Sequence, residues 1–155
     1  MMVLIIATIT GIVALDQISK YVVLGIIGIG GEPIVIIDGV FQITCHRNSG
    51  AAWGLFQNGR YAFLALTVIV LAFAGYIMYK IKDRRFRLML SVIMGGALGN
   101  FIDRLIYGSV VDFLDVYIFG YDFPTFNVAD SFIVVGTIAL AAYLLFYFKV
   151  ESEAS

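Results

Sequence analysis

Cysteine and histidine are almost missing from this sequence, and each scarcity removes a class of chemistry. The single cysteine, Cys45, cannot form an intramolecular disulfide and supplies no metal-ligand spacing. The single histidine, His46, has no partner in the order of a hydrolytic triad, and the H-E-x-x-H pattern of a zinc peptidase does not occur. The two are neighbours in a segment that reads as extended, where successive side chains point to opposite faces, so they do not make a nucleophile and its base. His46 reads as a surface or loop residue. Glycines at 28, 30 and 31 are followed by no Lys-Ser/Thr pair and lack a strand-to-helix context, which excludes a phosphate loop. Internal repeats, low-complexity tracts and linkers are also absent, so residues 1–155 read as a single domain.

Charge is sparse as well, at 14% of residues, while 61% are hydrophobic and the mean hydropathy is +0.98. A soluble domain is about 45–50% apolar, so the composition is that of an integral membrane protein. A transmembrane helix needs about 20 mostly apolar residues, and segments 3–27, 61–79, 88–105 and 128–148 meet that requirement. Five of the ten Lys and Arg residues, Lys80, Lys82, Arg84, Arg85 and Arg87, cluster between two of these segments. There they read as a cytoplasmic topology signal rather than a nucleic-acid patch. Both termini then lie in the cytoplasm, and segments 28–60 and 106–127 face outward together. The N-terminus lacks the basic region of a cleavable signal peptide and is expected to be retained. Gly28–Pro33 breaks the first helix. Ile34–Thr44, β-branched and divided by the turn pair Asp38–Gly39, reads as a hairpin at the membrane surface. It leads into a polar, small-residue loop ending at the interfacial Trp53, so a β-cradle over 34–58 is expected. Residues 106–127 read as a mixed loop, and the tail 151–155 as disordered.

The polar residues that interrupt this oily chain concentrate in Gly95–Ser131, and charges at membrane depth are costly enough to call for a function. Asp16 and Lys20 stand four apart on one helical face, either as a structural ion pair or as a substrate contact. With triads and metal motifs set aside, carboxylate chemistry remains. Two aspartates held close together cannot both ionise easily. One can deprotonate a water while the other protonates an oxygen or a leaving nitrogen, as amide hydrolysis requires. Of the eight aspartates, Asp112 and Asp130 are the favoured pair. Spacing alone leaves Asp115 as a rival to Asp112, and leaves open that Asn127 caps the fourth helix while Asp130 only satisfies its first-turn amides. Asp103 and Arg104 are adjacent on a helix, so each needs a partner elsewhere.

Five ordered blocks carry a resemblance: Asp16–Lys20 (DQISK), Arg47–Gly54 (RNSGAAWG), Gly95–Arg104 (GGALGNFIDR), Val110–Phe113 (VVDF) and Phe126–Ser131 (FNVADS). Together they make the chain resemble the lipoprotein signal peptidases (signal peptidase II), bacterial aspartic peptidases that process prolipoproteins. The resemblance implies that Asp112 and Asp130 are the catalytic dyad and that Asp16, Lys20, Asn48, Asn100, Arg104 and Asn127 support the dyad or the substrate. Asp103 is left as structural. It also implies four transmembrane helices, an extracytoplasmic antiparallel β-cradle between helices 1 and 2, and a site near the outer leaflet of the bacterial cytoplasmic membrane. The expected substrates are diacylglyceryl-modified prolipoproteins, cut just before the lipidated cysteine, and the expected inhibitor is the cyclic peptide globomycin. A monomer is expected, with membrane lipid as its surroundings and no cofactor, metal or nucleic acid. The competing class is a non-catalytic transporter or assembly scaffold, although inverted repeats are not evident. A presenilin-type protease is disfavoured because the residues before Asp112 do not form a G-x-G-D motif.

Overall fold

The computed structural model describes residues 1–50 and 59–147. Trp53, the 51–58 part of the expected cradle, the last residue of the 128–148 span and the tail 151–155 lie outside the described residues. Four helices, α1 (Met2–Ile26), α2 (Arg60–Lys80), α3 (Arg84–Tyr107) and α4 (Val128–Phe146), are each long and apolar enough to cross a membrane. Large apolar side chains such as Leu66, Ile69 and Phe73 of α2 and Val134, Val135 and Ile138 of α4 lie exposed along their length. A water-soluble protein would bury such a surface, whereas a bilayer covers it.

The helix α3 starts at Arg84, earlier than the expected 88, because Asp83 caps it: its Oδ1 accepts the Phe86 N–H at 2.7 Å. Three of the clustered basic residues therefore lie in the first turn of α3, and only residues 81–83 separate it from α2.

Four antiparallel strands form one sheet in the order β1 (Ile34–Ile37), β2 (Phe41–Asn48), β3 (Val110–Ile118) and β4 (Tyr121–Phe126). The first hairpin lies between α1 and α2 as expected, turning through Gly39 at φ 66° with the Val40 N–H donating to Ile37 O at 3.0 Å. The segment read as a mixed loop supplies the second hairpin. Its turn, Phe119–Gly120, carries positive φ at both residues without an Asn-Gly or Asp-Gly pair to announce it. Pro124 also argues against a strand, yet β4 is an edge strand and Pro124 falls within the register shift between the Val116–Phe123 and Leu114–Phe126 pairs, a place where proline is tolerated. The register places His46 opposite Asp112 and Asn48 opposite Val110.

Small residues bring α1 and α4 close against α3. A Cβ added at Gly95 would stand 3.0 Å from Ile12 Cβ, at Gly99 2.6 Å from Asp16 Oδ2, and at Gly96 2.5 Å from the main-chain oxygen of Ala129. The last of these cannot be relieved by a rotamer change, because the obstacle is backbone. Gly96→Ala is accordingly expected to push the start of α4 away and to cost about 1–3 kcal/mol. Thermal unfolding in detergent measures this, and an unchanged midpoint would show that α4 is free to retreat.

Candidate active site

Gly108 ends α3 in the left-handed conformation, φ 78°, with its N–H donating to Arg104 O at 3.1 Å. The chain reverses there, and Val110 to Phe113 run back as a fully buried stretch. This places Asp112, 4% exposed, beside α3 and α4. Asp130 arrives from a different element, the first turn of α4. Asn127 and Asp130 form a reciprocal capping box, in which Asn127 Oδ1 accepts the Asp130 N–H at 3.0 Å and Asp130 Oδ2 accepts the Asn127 N–H at 3.2 Å. The capping reading of Asp130 is thus realised, but it uses one oxygen only. Oδ1 turns the other way and accepts the Asn100 amide at 2.7 Å.

Three asparagine amides hold the two carboxylates. Asn48 donates to Asp112 Oδ2 at 2.9 Å, Asn127 to Asp112 Oδ1 at 2.7 Å, and Asn100 to Asp130. The amide of Asn127 also donates to Asn100 Oδ1 at 3.1 Å, so a single network reaches both aspartates. Asp112, Asp130, Asn48, Asn100 and Arg104 line one cavity of about 670 Å³. Its remaining wall is largely apolar and includes Phe123 of β4, Thr67 of α2 and Val134 of α4. Arg104 donates to Gly50 O at 3.0 Å and stacks over the Phe63 ring at 4.8 Å. Burial pushes the Asp112 carboxyl up to about 6, and the negative charge of Asp130 adds to it, against the opposing amides of Asn48 and Asn127.

The other expected residues fall into two groups. Asp16 and Lys20 are buried, 0% and 2% exposed, and pair at 2.8 Å, but they stand behind the cavity rather than in its wall. Among the described residues that line the cavity, Lys20 hydrogen-bonds to Asn100, donating to its Oδ1 at 3.0 Å. Asp115 lies three residues from Asp112 along β3, on the opposite face, where it accepts the Gln42 amide at 2.7 Å. His46 is exposed although it pairs across from Asp112. Sequence reasoning passed over Gln17, which donates to Asp103 Oδ1 at 2.9 Å and Asp16 Oδ2 at 3.2 Å. Its place between Asp16 and Lys20 on a helix otherwise rich in apolar residues was the available signal. Among the described residues, no group of three or more His, Cys, Asp or Glu side chains is arranged to hold a metal ion.

The arrangement can therefore hold one proton on a buried carboxyl beside a second carboxylate, with amide donors fixing both and an arginine at the cavity wall. That suits the activation of water against a polarised carbonyl.

The sequence matches the model of signal peptidase (SPase) II over residues 8–146. The structure is similar to a bacterial membrane enzyme solved by the in meso method at 2.3 Å resolution, with 39% identity, TM-score 0.86, and coverage of 97% of this chain and 94% of that one. It is also similar to a bacterial membrane enzyme solved by the same method at 1.9 Å, with 39% identity, TM-score 0.83, and coverage of 93% and 94%. The matched residues take in most of α1, the whole of the other three helices and both hairpins, and the chain belongs to the signal peptidase II family of membrane peptidases.

Proposed function

We propose that this protein is an aspartic endopeptidase that removes the signal peptide from diacylglyceryl-modified prolipoproteins, cleaving before the lipidated cysteine with water activated between Asp112 and Asp130. The observation that carries the reading is the convergence of these two carboxylates, from β3 and α4, on one cavity through a shared asparagine network. One carboxylate takes a proton from water as it attacks the scissile carbonyl. The other, already protonated, donates to the carbonyl oxygen to give a diol. As the C–N bond breaks, the first carboxyl passes the water-derived proton to the leaving nitrogen and the second takes one back from a diol hydroxyl, which restores the singly protonated pair. Asn48, Asn100 and Asn127 keep the carboxylates apart and oriented, and Arg104 faces the substrate main chain.

The apolar wall supports a lipidated substrate. Val134 of α4 lines the cavity and is itself 55% exposed on the helix surface, so the cavity meets the bilayer there. Acyl chains can remain in the membrane while the peptide bond reaches the aspartates. The basic residues around 80–87 favour both termini in the cytoplasm of a bacterial cell, and the sheet and cavity then lie toward the outer leaflet. A globomycin-type cyclic peptide would compete for the same cavity, and the protein would work as a monomer.

Purified protein in lipid–detergent micelles, incubated with one precursor with and without the diacylglyceryl group, tests the substrate assignment. Mass spectrometry is expected to show a single cut before the cysteine in the modified precursor and slower cleavage of the unmodified one by about 100-fold or more, because remote apolar binding assists the chemical step. Equal cleavage of both forms would remove the lipid from the reading.

A further inference from the structure

Behind Asp112 and Asp130 stands a second pair of carboxylates, Asp16 and Asp103, with Lys20 between them. The Lys20 ammonium lies 2.8 Å from Asp16 Oδ2 and 2.8 Å from Asp103 Oδ2. Its third donor goes to Asn100 Oδ1 at 3.0 Å, which leaves Asn100 Nδ2 for Asp130. Gln17 closes the back of the group by donating to both outer carboxylates. Each outer carboxylate also accepts one main-chain N–H from another element. Asp16 Oδ1 takes that of Ala129 at 2.9 Å, and Asp103 Oδ2 takes that of Val111 at 3.4 Å. Ala129 immediately precedes Asp130, and Val111 immediately precedes Asp112.

One ammonium therefore ties together two anchors, each a single residue from one member of the inner pair. As a stabilising device this is poor value, since a buried ion pair is often no better than apolar packing of the same volume. As a geometric device it is apt. The inner carboxylates come from a strand and a helix that are distant in sequence, and a displacement of about 1 Å at reacting groups can cost about 100-fold in rate.

We infer that Asp16, Lys20 and Asp103 form a positioning clamp that sets the separation and orientation of the Asp112 and Asp130 carboxylates. Asp103 is thereby a positioning residue rather than a packing residue. The inference rests on the reading of Asp112 and Asp130 as the water-activating pair, and extends it. The charged and titratable groups around that pair are Lys20 and Asp16 from α1, His46 from β2, and Asp103 and Arg104 from α3.

The test uses the full-length protein with Asp103→Asn and, separately, Lys20→Arg, which keeps the charge but replaces the compact ammonium by a longer planar fork. Cleavage of the lipidated precursor is followed as kcat, KM and pH–rate profile, with all rates referred to folded protein. Expected are a fall in kcat of about 10- to 100-fold, a KM within about twofold, and a displaced alkaline limb, because coupling between two carboxylates depends on their separation. Asp115→Asn, a buried carboxylate on the other face of β3, is expected to keep the wild-type kcat and profile. A lower unfolding midpoint with kcat and pH profile unchanged would mean a structural role only and overturn the clamp. So would the failure of both variants to yield any folded protein, which would assign the group to assembly. The outcomes stay distinguishable from those of the underlying reading. If Asp112→Asn and Asp130→Asn remain active, that reading fails, whereas if they are inactive while the clamp variants behave as wild type, the clamp alone fails.

Discussion

Asp112→Asn and Asp130→Asn are each expected to reduce cleavage of the lipidated precursor by about 10²–10⁴-fold, with the protein still inserted in the membrane. Asparagine keeps the size and polarity of the side chain but cannot carry a proton between water and the scissile bond. At position 112 the amide oxygen can still accept from Asn48 or Asn127, which now donate at 2.9 and 2.7 Å. At position 130 one acceptor remains for either the Asn127 N–H or the Asn100 amide, now at 3.2 and 2.7 Å, so some loosening of the first turn of α4 is expected. Protein levels must therefore be matched in the assay. Asp115→Asn is the control, since Asp115 faces Gln42 and lies outside the cavity. Near-wild-type cleavage by both variants would demote the pair to capping and packing and move the chemistry elsewhere.

The second large effect is one of pH. Asp112 holds its proton up to about 6 in the folded protein, through burial first and the charge of Asp130 second. If that proton is used in the reaction, kcat/KM falls above about pH 6 by tenfold per unit, or about 100-fold by pH 8. The same proton affects stability. An aspartate in the unfolded chain titrates near ~3.9, so between about pH 4 and 6 the folded state binds a proton that the unfolded state has lost. The associated stability is fully present below about pH 4 and disappears as pH rises through 6, an effect of up to about 3 kcal/mol at 1.36 kcal/mol per unit. Asp112→Asn cannot ionise and should escape this loss. Its unfolding midpoint relative to wild type is expected to rise between pH 4.5 and 7.5. A difference that stays constant across that range would show that Asp112 titrates normally, and a flat rate profile to pH 8 would remove its proton from the mechanism.

Much of the membrane architecture is legible without coordinates, because about 20 apolar residues in a row have few alternatives in a lipid bilayer. All four spans appear within a few residues of their expected bounds, and the Asp38–Gly39 hairpin forms where its turn pair stands. The second hairpin was hidden by local signals that pointed the wrong way. Pro124 weakens a strand reading, and Phe119–Gly120 is not a recognised turn pair, yet β4 pairs with β3, itself held in the sheet by β2, in spite of both. The start of α3 was misplaced for a similar reason, as a run of basic residues looks like a loop until the cap from Asp83 is seen.

The candidate site divides in the same way. Residue types and spacing point to carboxylate chemistry at a membrane but leave Asp115 as a rival to Asp112, and it is the resemblance carried by the ordered blocks that implies Asp112, Asp130 and their supporting residues. They do not reveal which groups touch. That Asn127 serves two aspartates at once, that Asp115 turns away, that Asp16 and Lys20 stand behind the cavity, and that Asp103 reaches the main chain of β3 were decided only by tertiary structure. The physical reason is that hydrogen bonds and ion pairs act over about 3 Å, while the residues they join here lie as far apart as Asp16 and Ala129 in sequence. Local pattern determines where each helix and strand begins. Close packing of α1 and α4 on the glycines of α3 determines which polar side chains meet.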